Sequence, residues 1–213
     1  MFVMGIKKLV YGVGVNDCAG PVEINKVNPD GSRYRWKCPF YRKWTSMLAR
    51  CYSEVELAKH PSYLDVTVCE DWRIFSRFKS WMENQEWEGN ELDKDVINPG
   101  SKVYCPENCA FIPMSLNKFL TNINQEFTGV AWHKKTKKFR AQCNNPFSGK
   151  REHIGYFHDK ESAHAAWVER KAAIAIEIAE SGLIKDERVV YALRSRLPDY
   201  ANQLRQQAKE PQP

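Results

Sequence analysis

Residues 127–151 hold seven lysines and arginines and no aspartate or glutamate, and this segment restricts the fold and its partners more than any other. The basic residues are Lys134, Lys135, Lys137, Lys138, Arg140, Lys150 and Arg151. Because the whole chain carries a net charge of only +6, the remaining residues are close to neutral and the positive charge is local. A local positive field attracts polyanions, and phosphate contacts supply most non-specific affinity for nucleic acid. The alternative is a lysine-rich hairpin whose charges are merely solvated.

The same region has the pattern of a small sheet followed by a helix. Short runs bounded by turn residues predict strands at Gly129–His133, Lys138–Cys143 and Glu152–Phe157. Asp159 is placed to cap a helix whose apolar residues recur at helical spacing, and Gly182 lies where a helix C-terminus favours glycine. The sequence from 127 to 182 therefore predicts three strands and one helix.

Side chains alternate between the two faces of a sheet, so one face can pack on the helix while the other meets a ligand. Val130 and Phe139 are predicted to turn inward. The predicted open face holds Trp132, Lys134, Lys138, Arg140 and Arg151, and the turns add Lys135 and Lys150. A twisted sheet of this size fits the DNA major groove, where arginine pairs bidentately with guanine. Lysines in the turns would contact phosphates and carry little sequence information.

These motifs resemble a known family. The segments GVAWHKKTKKFRAQC, from Gly129, and REHIGYFHDKESAHAAW, from Arg151, are similar to the AP2 domain, and residues 127–182 cover that domain from end to end. The resemblance implies a three-stranded antiparallel sheet that reads double-stranded DNA in the major groove. It places Trp132, Lys134 and Arg140, among the open-face residues, at contacting positions.

A second constellation lies in residues 92–120, LDKDVINPGSKVYCPENCAFIPMSLNKFL. A Pro99-Gly100 turn separates two extended pieces, and Pro113 precedes a predicted helix, which together give strand, turn, strand and helix. On such a unit Asp93 and Asn117 could converge on one divalent cation, since Mg²⁺ prefers oxygen ligands. Capping or turn roles are the alternative for both side chains.

This arrangement resembles the HNH (ββα-metal) nucleases of phage homing endonucleases, in the variety that also carries AP2 domains. The segments WTSMLARCY, VTVCEDWRIFSRFKSW and YCPENCAFIP are similar to the parts that precede and surround the motif, so the resemblance spans residues 38–182. It implies that Asp93 and Asn117 bind Mg²⁺ and that Asn108 supports the base. Lys94 stands where those nucleases have the catalytic histidine. A protonated lysine cannot accept a proton from water, and base catalysis contributes ~10²–10⁴-fold to the rate.

Elsewhere the pattern predicts a strand at Lys8–Val15, a helix from Phe40 after Pro39, and a second helix capped by Asp71. A last helix is predicted over Lys185–Leu197, ended by Pro198. The predicted class is α+β. Its predicted parts are an extension (1–37), an HNH-like domain (38–125), an AP2-like domain (127–183) and a C-terminal helix and tail (184–213).

Composition limits the cellular location that we expect for this protein. No apolar run approaches the ~20 residues that span a bilayer, and the N-terminal stretch lacks the pattern of a cleaved signal peptide. Seven cysteines without close CxxC pairs favour reduced thiols in a cytoplasm, which the resemblance places in a phage-infected bacterium. Structural zinc held by four cysteines is the less favoured alternative to small buried thiols. Those four are Cys51, Cys69, Cys105 and Cys109.

Three functions follow. The first is a site-specific, Mg²⁺-dependent DNA-nicking endonuclease, and the second is a DNA-binding regulator or repressor derived from such an enzyme. The weaker third is a structured-RNA-binding protein, disfavoured because the A-form major groove is too narrow for a sheet. A basic stretch without acids from Gly31 to Arg50 includes Arg42 and Lys43, which are predicted to contact the flanking DNA backbone. The sequence leaves the oligomeric state open and is compatible with a monomer.

Overall fold

The structure, a computed structural model, describes residues 9–121, 123 and 125–207, and it shows a mixed α+β protein. The chain forms two compact units. Within the described residues, the first unit comprises the chain up to Glu88 together with Leu92–Phe111. The second comprises Gly89–Glu91 and the chain from Ile112 onward. None of the described helices combines the length and the apolarity that crossing a bilayer requires.

The first unit begins with an antiparallel hairpin of β1 (Glu23–Val27) and β2 (Arg33–Lys37). Its turn is the Pro29-Asp30-Gly31 segment. The Asp30 carboxylate accepts hydrogen bonds from the amide and hydroxyl of Ser32, and Gly31 adopts a φ of 84°. The turn was predictable because glycine adopts positive φ without steric cost. The two strands were not predicted.

Helix α1 (Pro39–Tyr52) confirms the helix predicted after Pro39. It is followed by α2 (Glu54–Lys59) and a 3₁₀ turn, and then by β3 (Thr67–Val68), which pairs in parallel with β5 (Val103–Tyr104). Helix α3 (Phe75–Met82) completes the core. The core packs the apolar faces of α1 and α3 around aromatic rings, and its largest fully buried members are Trp44, Trp72, Tyr104, Phe75 and Phe78.

Two predictions in this unit are wrong. Asp71 does not cap α3: it begins a separate 3₁₀ turn, Asp71–Arg73, and forms an ion pair with Arg77, while Ile74 holds the N-cap position without a side-chain bond. The predicted strand Lys8–Val15 is a tight turn in its described part, because the amides of Val13 and Gly14 both bond to the Val10 carbonyl. Lys8 lies outside the described residues.

Residues 90–120 follow the predicted order of strands and helix. Strands β4 (Asn90–Asp93) and β6 (Ala110–Pro113) form a two-stranded sheet, and α4 (Met114–Leu120) follows β6 directly. Proline suits the residue just before a helix, and Pro113 is the N-cap of α4. The short β5 between the two strands was not predicted as a separate strand.

The second unit contains an antiparallel sheet in the order β7 (Val130–His133), β8 (Lys138–Asn144) and β9 (Arg151–Phe157). All three strands were predicted to within one residue at each end. Helix α5 (Lys160–Glu180) packs on this sheet. Its predicted cap is confirmed, since the Asp159 carboxylate accepts a hydrogen bond from the amide of Ser162 at 2.6 Å. Gly182 follows α5 with a φ of 71°, as predicted for a residue after a helix end.

Helix α6 (Glu187–Gln207) runs through Pro198, so the prediction that Pro198 ends the last helix is wrong. Proline removes one backbone donor from a helix and usually kinks or breaks it. Here the helix packs against α5 through a buried apolar face on both sides of the proline. That face comprises Val189, Val190, Leu193, Leu197 and Ala201. Burial of this stripe stabilises the helix beyond what its local sequence favours.

Candidate nucleic-acid interface

The register of β7, β8 and β9 assigns each side chain to one of two faces. Arg140 of β8 lies opposite Ala131 and Tyr156, and Lys138 lies opposite His133. Gln142 and Asn144 continue this face, opposite His153 and Arg151. We call this the open face. Its residues from the three strands are Ala131, His133, Lys138, Arg140, Gln142, Asn144, Arg151, His153 and Tyr156, none of which is acidic.

The opposite face packs on α5. Ala141 and Cys143 are buried there, and Glu152, opposite Cys143, forms an ion pair with Arg170 of α5 at 2.7 Å. The bonds that Glu152 accepts from Arg170 and Asn145 lower the pKa of its carboxyl. Gly129 shows how closely strand and helix approach, because a Cβ on it would lie 2.1 Å from the Trp167 ring. The carboxylate of Glu152 is thus neutralised by Arg170 on the helix side of the sheet.

Of the two aromatic residues of these strands, Phe139 lies on the inner face as predicted, and the predicted face of Trp132 is wrong. Trp132 was expected on the open face and Phe139 on the inner face, but the two are cross-strand partners and lie on the same side as Ala141. Their rings meet edge to face, with centroids 5.0 Å apart. The strand period of two fixes this result, since Trp132 and Val130 share a parity. Trp132 still exposes 53% of its surface, at an edge strand of the sheet.

Three ring side chains meet on the open face, and of these Tyr156 was not selected from the sequence. His133 and His153 flank Tyr156, with ring centroids 5.0 Å and 4.7 Å from the tyrosine ring. The sequence contained a signal for Tyr156. Once the strands are paired, a tyrosine on the same face as Arg140 is a candidate for contact with bases. The register that brings the three rings together includes a bulge near Ala141, which the strand period alone does not predict.

The turn lysines are exposed, and Lys134, which was predicted on the open face, lies in the turn instead. Lys134, Lys135 and Lys137 lie between β7 and β8, and Lys150 lies just before β9. The β7–β8 turn is held by His133, whose ring nitrogen Nδ1 contacts the Thr136 hydroxyl at 3.0 Å. In the described chain, none of the seven basic residues of 127–151 forms an ion pair. Their charges are therefore available to an external anion.

Arg140 occupies the centre of the open face, on the middle strand. Its Nε atom is buried and has no hydrogen-bond partner among the described residues. A buried donor without an acceptor costs about 1–3 kcal/mol. Arginine is also the side chain best suited to bidentate contact with guanine or phosphate. Arg140 thus combines a position at the centre of this face with a guanidinium donor that the described residues leave unsatisfied.

The ββα region differs because its polar groups are used inside the protein. The Oδ1 atom of Asp93 accepts hydrogen bonds from the amides of Asp95 at 2.9 Å and Val96 at 2.7 Å. Burial raises the pKa of the Asp93 carboxyl, although the two amides act in the opposite direction. Asp93 therefore performs the turn role that the sequence left as an alternative to metal binding.

Lys94, at the position of the expected catalytic histidine, is 7% exposed, and its ammonium contacts both oxygens of Asp95 at 2.8 Å and 3.0 Å. An ammonium that donates to a carboxylate has no lone pair with which to accept a proton from water. The paired lysine also places a positive charge beside Asp93, where a metal ion would have to bind.

Asn108 braces the loop between β4 and β5. Its amide nitrogen donates to the Ser101 hydroxyl at 2.9 Å and to the Val103 carbonyl at 3.2 Å. Its carbonyl oxygen accepts from Asn98 at 3.3 Å. These contacts account for both donors of the amide, so the side chain holds the loop in shape.

The residues of the first unit fit Mg²⁺ poorly. Asp93 offers one carboxylate oxygen beyond the one that already accepts two amides, and Asn117 belongs to the second unit, on α4. Among the residues that the structure describes, no group of three His, Cys, Asp or Glu side chains is placed to hold a metal ion. Mg²⁺ sites commonly use one or two carboxylates with waters and phosphates. No chemical step is therefore derived through a metal.

The four cysteines considered for zinc are free thiols in the first unit. Burial raises the pKa of Cys51 to about 12 and raises the pKa of Cys69, Cys105 and Cys109 above the ordinary thiol value. Zinc binds the thiolate form, so each of these environments disfavours the ligand state.

Arg42 and Lys43 lie on α1 of the first unit. Arg42 is exposed and Lys43 is half-buried. They are on the surface of that unit, as a backbone contact requires, and their predicted role stays a prediction.

Comparisons with protein-family models, with curated proteins and with solved structures found no match for this chain. The candidate site is therefore argued from its own residues and geometry.

Proposed function

We propose that this protein binds double-stranded DNA through the open face of its β7–β8–β9 sheet and reads sequence in the major groove. The observation that carries the proposal is the set of seven basic residues without ion pairs, on a sheet whose open face lacks acidic residues. A cationic surface of this kind releases counterions when it binds phosphates, which drives association with nucleic acid.

The residues divide into two groups by position. Arg140, Gln142 and Tyr156 lie on the strands of the open face, where they meet base edges and thymine methyl groups. The turn lysines Lys134, Lys135 and Lys137, with Lys150, contact the phosphates and fix the register of the sheet on the duplex. This division follows the AP2-like reading of the sequence, with Trp132 moved from the open face to the sheet edge.

Among the functions of a homing-endonuclease-type protein, we favour DNA binding without cleavage, as in a regulator or repressor. Lys94 is paired with Asp95 and cannot act as a general base in that state. Asp93 is engaged by two amides. Mg²⁺-dependent nicking is the second candidate, and the order β4, β6, α4 over residues 90–120 supports it, since that order matches a ββα unit.

One experiment separates these functions. The protein is incubated with a library of duplex fragments with and without Mg²⁺, and protection and strand nicks are mapped on the same fragments. We expect discrete protected sites and no nicks in either condition. Protection accompanied by Mg²⁺-dependent nicks at fixed positions would replace the regulator with an endonuclease. Absence of protected sites would contradict sequence-specific DNA binding altogether.

RNA provides the necessary comparison, because cationic sheets also attract RNA phosphates. A double-stranded RNA of matching sequence should bind more weakly, since its major groove is too narrow for the sheet. Tighter binding to the RNA than to the DNA in a gel shift would select the structured-RNA function instead.

A further inference from the structure

The second unit contains a cavity of about 720 Å³, lined only by residues of that unit. The walls come from α4, from the start of β7, from the later part of β8 and the turn after it, and from α5. Ligand sites for small molecules usually fall within ~300–1,000 Å³. The space is thus suited to a small molecule or to one unit of a polymer.

The charge on the cavity wall has a single sign. Among the described residues that line it, four are cations, Lys118 of α4, Arg140 of β8, Arg151 of β9 and Lys171 of α5, and none is aspartate or glutamate. Within the described part of the chain, none of the four forms an ion pair. Cations gathered around one space repel each other unless an anion lies between them.

Lys171 is the most informative of the four, because it is only 5% exposed. Its ammonium donates to the carbonyl oxygen of Phe119 and lies over the Phe119 ring, 3.6 Å from the ring centroid. A carbonyl and a ring face compensate a buried charge only in part, since a buried ammonium normally has a carboxylate partner. Desolvation lowers the pKa of Lys171 to about 8. Lys171 thus lines the cavity as a buried cation without an acidic partner.

Neutral donors complete the wall. Gln142, Asn144 and Ser115 border the cavity, and so do Thr121 and Thr128, whose hydroxyls donate to the backbone carbonyls of Lys118 and Gln125. Lysine, arginine, amide and hydroxyl donors together are the set that binds phosphate oxygens in proteins. The buried Arg140 Nε, which has no partner among the described residues, belongs to the same wall.

We propose that this cavity binds a phosphate ester about one nucleotide in size, with Lys118, Arg140, Arg151 and Lys171 around its phosphoryl group. Two sources carry that chemistry, a nucleotide unit of a DNA strand bound to the protein or a free nucleotide in solution. The inference rests in part on the proposed function, since Arg140 and Arg151 belong also to the open face. Lys118 and Lys171 do not, and they make the cavity separately testable.

The test measures binding of deoxyadenosine monophosphate and of inorganic phosphate to the full chain by isothermal titration calorimetry. Variants Lys118→Gln and Lys171→Met remove one charge each, and Lys185→Gln removes an exposed charge of the same unit that does not line the cavity. A hydrogen bond to a charged group contributes about 1.5–3 kcal/mol, so each cavity variant should weaken mononucleotide binding by roughly tenfold or more. Lys185→Gln should leave it unchanged.

A second readout reports on Lys171 directly and does not depend on the fold of a variant. An anion beside a lysine with a pKa near 8 stabilises its charged form, so binding at pH 8 should take up roughly half a proton. The Cys143 thiol, which faces Lys171, does not compete, because burial raises the pKa of Cys143. Uptake is measured by repeating the titration in buffers of different ionisation enthalpy. At pH 6, where Lys171 is already charged, this uptake should be replaced by proton release, because the second pKa of the phosphate is about 6 and the cations favour its dianion.

The outcomes are distinct. Mononucleotide binding that competes with duplex DNA assigns the phosphoryl group to a DNA strand, and binding without competition assigns it to a free nucleotide. Both support the cavity. Absence of mononucleotide and phosphate binding, or binding that Lys118→Gln and Lys171→Met leave unchanged, overturns it. Duplex binding that fails while mononucleotide binding persists would reject the proposed function and retain the cavity.

Discussion

The two candidate regions of this protein use their polar side chains in opposite ways. Around β4 and β5, Asp93 accepts two amides, Lys94 pairs with Asp95, and Asn108 braces a loop. On the β7–β8–β9 sheet, the seven basic residues of 127–151 form no ion pair within the described chain. A motif residue whose hydrogen-bonding capacity is used inside the protein acts as structure, whereas a charge without an ion pair on an ordered surface is available to an external partner.

Among the substitutions that test this comparison, Arg140→Ala should have the largest effect, which is on duplex affinity. Loss of a bidentate base contact costs about 1–3 kcal/mol of discrimination, so the preferred duplex should bind roughly 5–150-fold more weakly and unrelated duplexes much less so. The measurement is fluorescence anisotropy on a preferred and a scrambled duplex. Arg205→Ala is the matched control, since Arg205 is paired with Glu169 in the same unit. If Arg140→Ala and Arg205→Ala weakened duplex binding equally, an arginine without an ion pair would contribute no more to binding than one with an ion pair, which would contradict the comparison.

Asn108→Ala should have the reverse effect, lowering stability and leaving binding intact. It removes the donors to the Ser101 hydroxyl and the Val103 carbonyl, which we expect to cost about 1–2 kcal/mol of unfolding free energy in urea denaturation. Asn84→Ala is the control, because Asn84 donates only to the preceding helix carbonyl of Ser80. A stable Asn108→Ala protein that no longer bound or nicked DNA would show that Asn108 is functional after all.

The acid dependence of stability tests the environment of Asp93. Because burial raises its pKa in the folded protein above the ordinary value of 3.8, the folded state holds this proton more tightly than the unfolded state. The stability that the protonated Asp93 carboxyl contributes is therefore present below pH ~4. It is lost as the pH rises through the pKa of Asp93 in the folded protein. Asp93→Asn keeps an acceptor for the two amides and cannot ionise. Its stability relative to the wild type should increase between about pH 4 and pH 7, as followed by thermal unfolding.

Asp93→Ala provides the comparison within that experiment: it also cannot ionise, so its stability relative to the wild type should rise with pH in the same way, and the loss of the acceptor should hold it about 1 kcal/mol below Asp93→Asn at every pH. A relative stability of Asp93→Asn that falls with rising pH would contradict the assigned environment.

The smallest expected effect is that of Lys135→Ala. An exposed lysine that contacts phosphate should weaken all duplexes about equally, by a fewfold, and reduce the salt slope by about 1. Lys59→Ala is the matched control, an exposed lysine of the first unit paired with Glu56. A sequence-dependent effect of Lys135→Ala would move that lysine from the phosphate group to the base-reading group.

The sequence predicted the second unit well because its signals are local. Strand lengths, turn residues and the Asp159 cap each depend on a few neighbouring residues, and all three were confirmed. Pro198 was misread because the packing of α6 on α5 is a tertiary effect that outweighs the local preference of proline. The predicted face of Trp132 was wrong although the strand period gives the correct one. Trp132 is two positions from Val130, so the two side chains lie on the same face.

The candidate site was predictable only in part. The charge of the open face could be read from composition, but its ring cluster depends on the register and on the bulge near Ala141. The cavity around Lys171 was not predictable at all. Its cations come from two helices and two strands, and only the fold places Lys118 and Lys171, 53 residues apart in sequence, around one cavity.

The salt dependence of duplex binding tests the main proposal most directly. The affinity of a labelled DNA duplex is measured over a range of salt concentrations for the wild type and for a variant carrying Lys134→Gln and Lys135→Gln. Contact with several phosphates predicts a linear fall of log K with log salt, with a slope of about −4 to −6, and a slope smaller by about 2 in the variant. A protein that ignores duplexes at ~50 mM salt, or a slope that the variant leaves unchanged, would contradict the assignment of the open face to DNA.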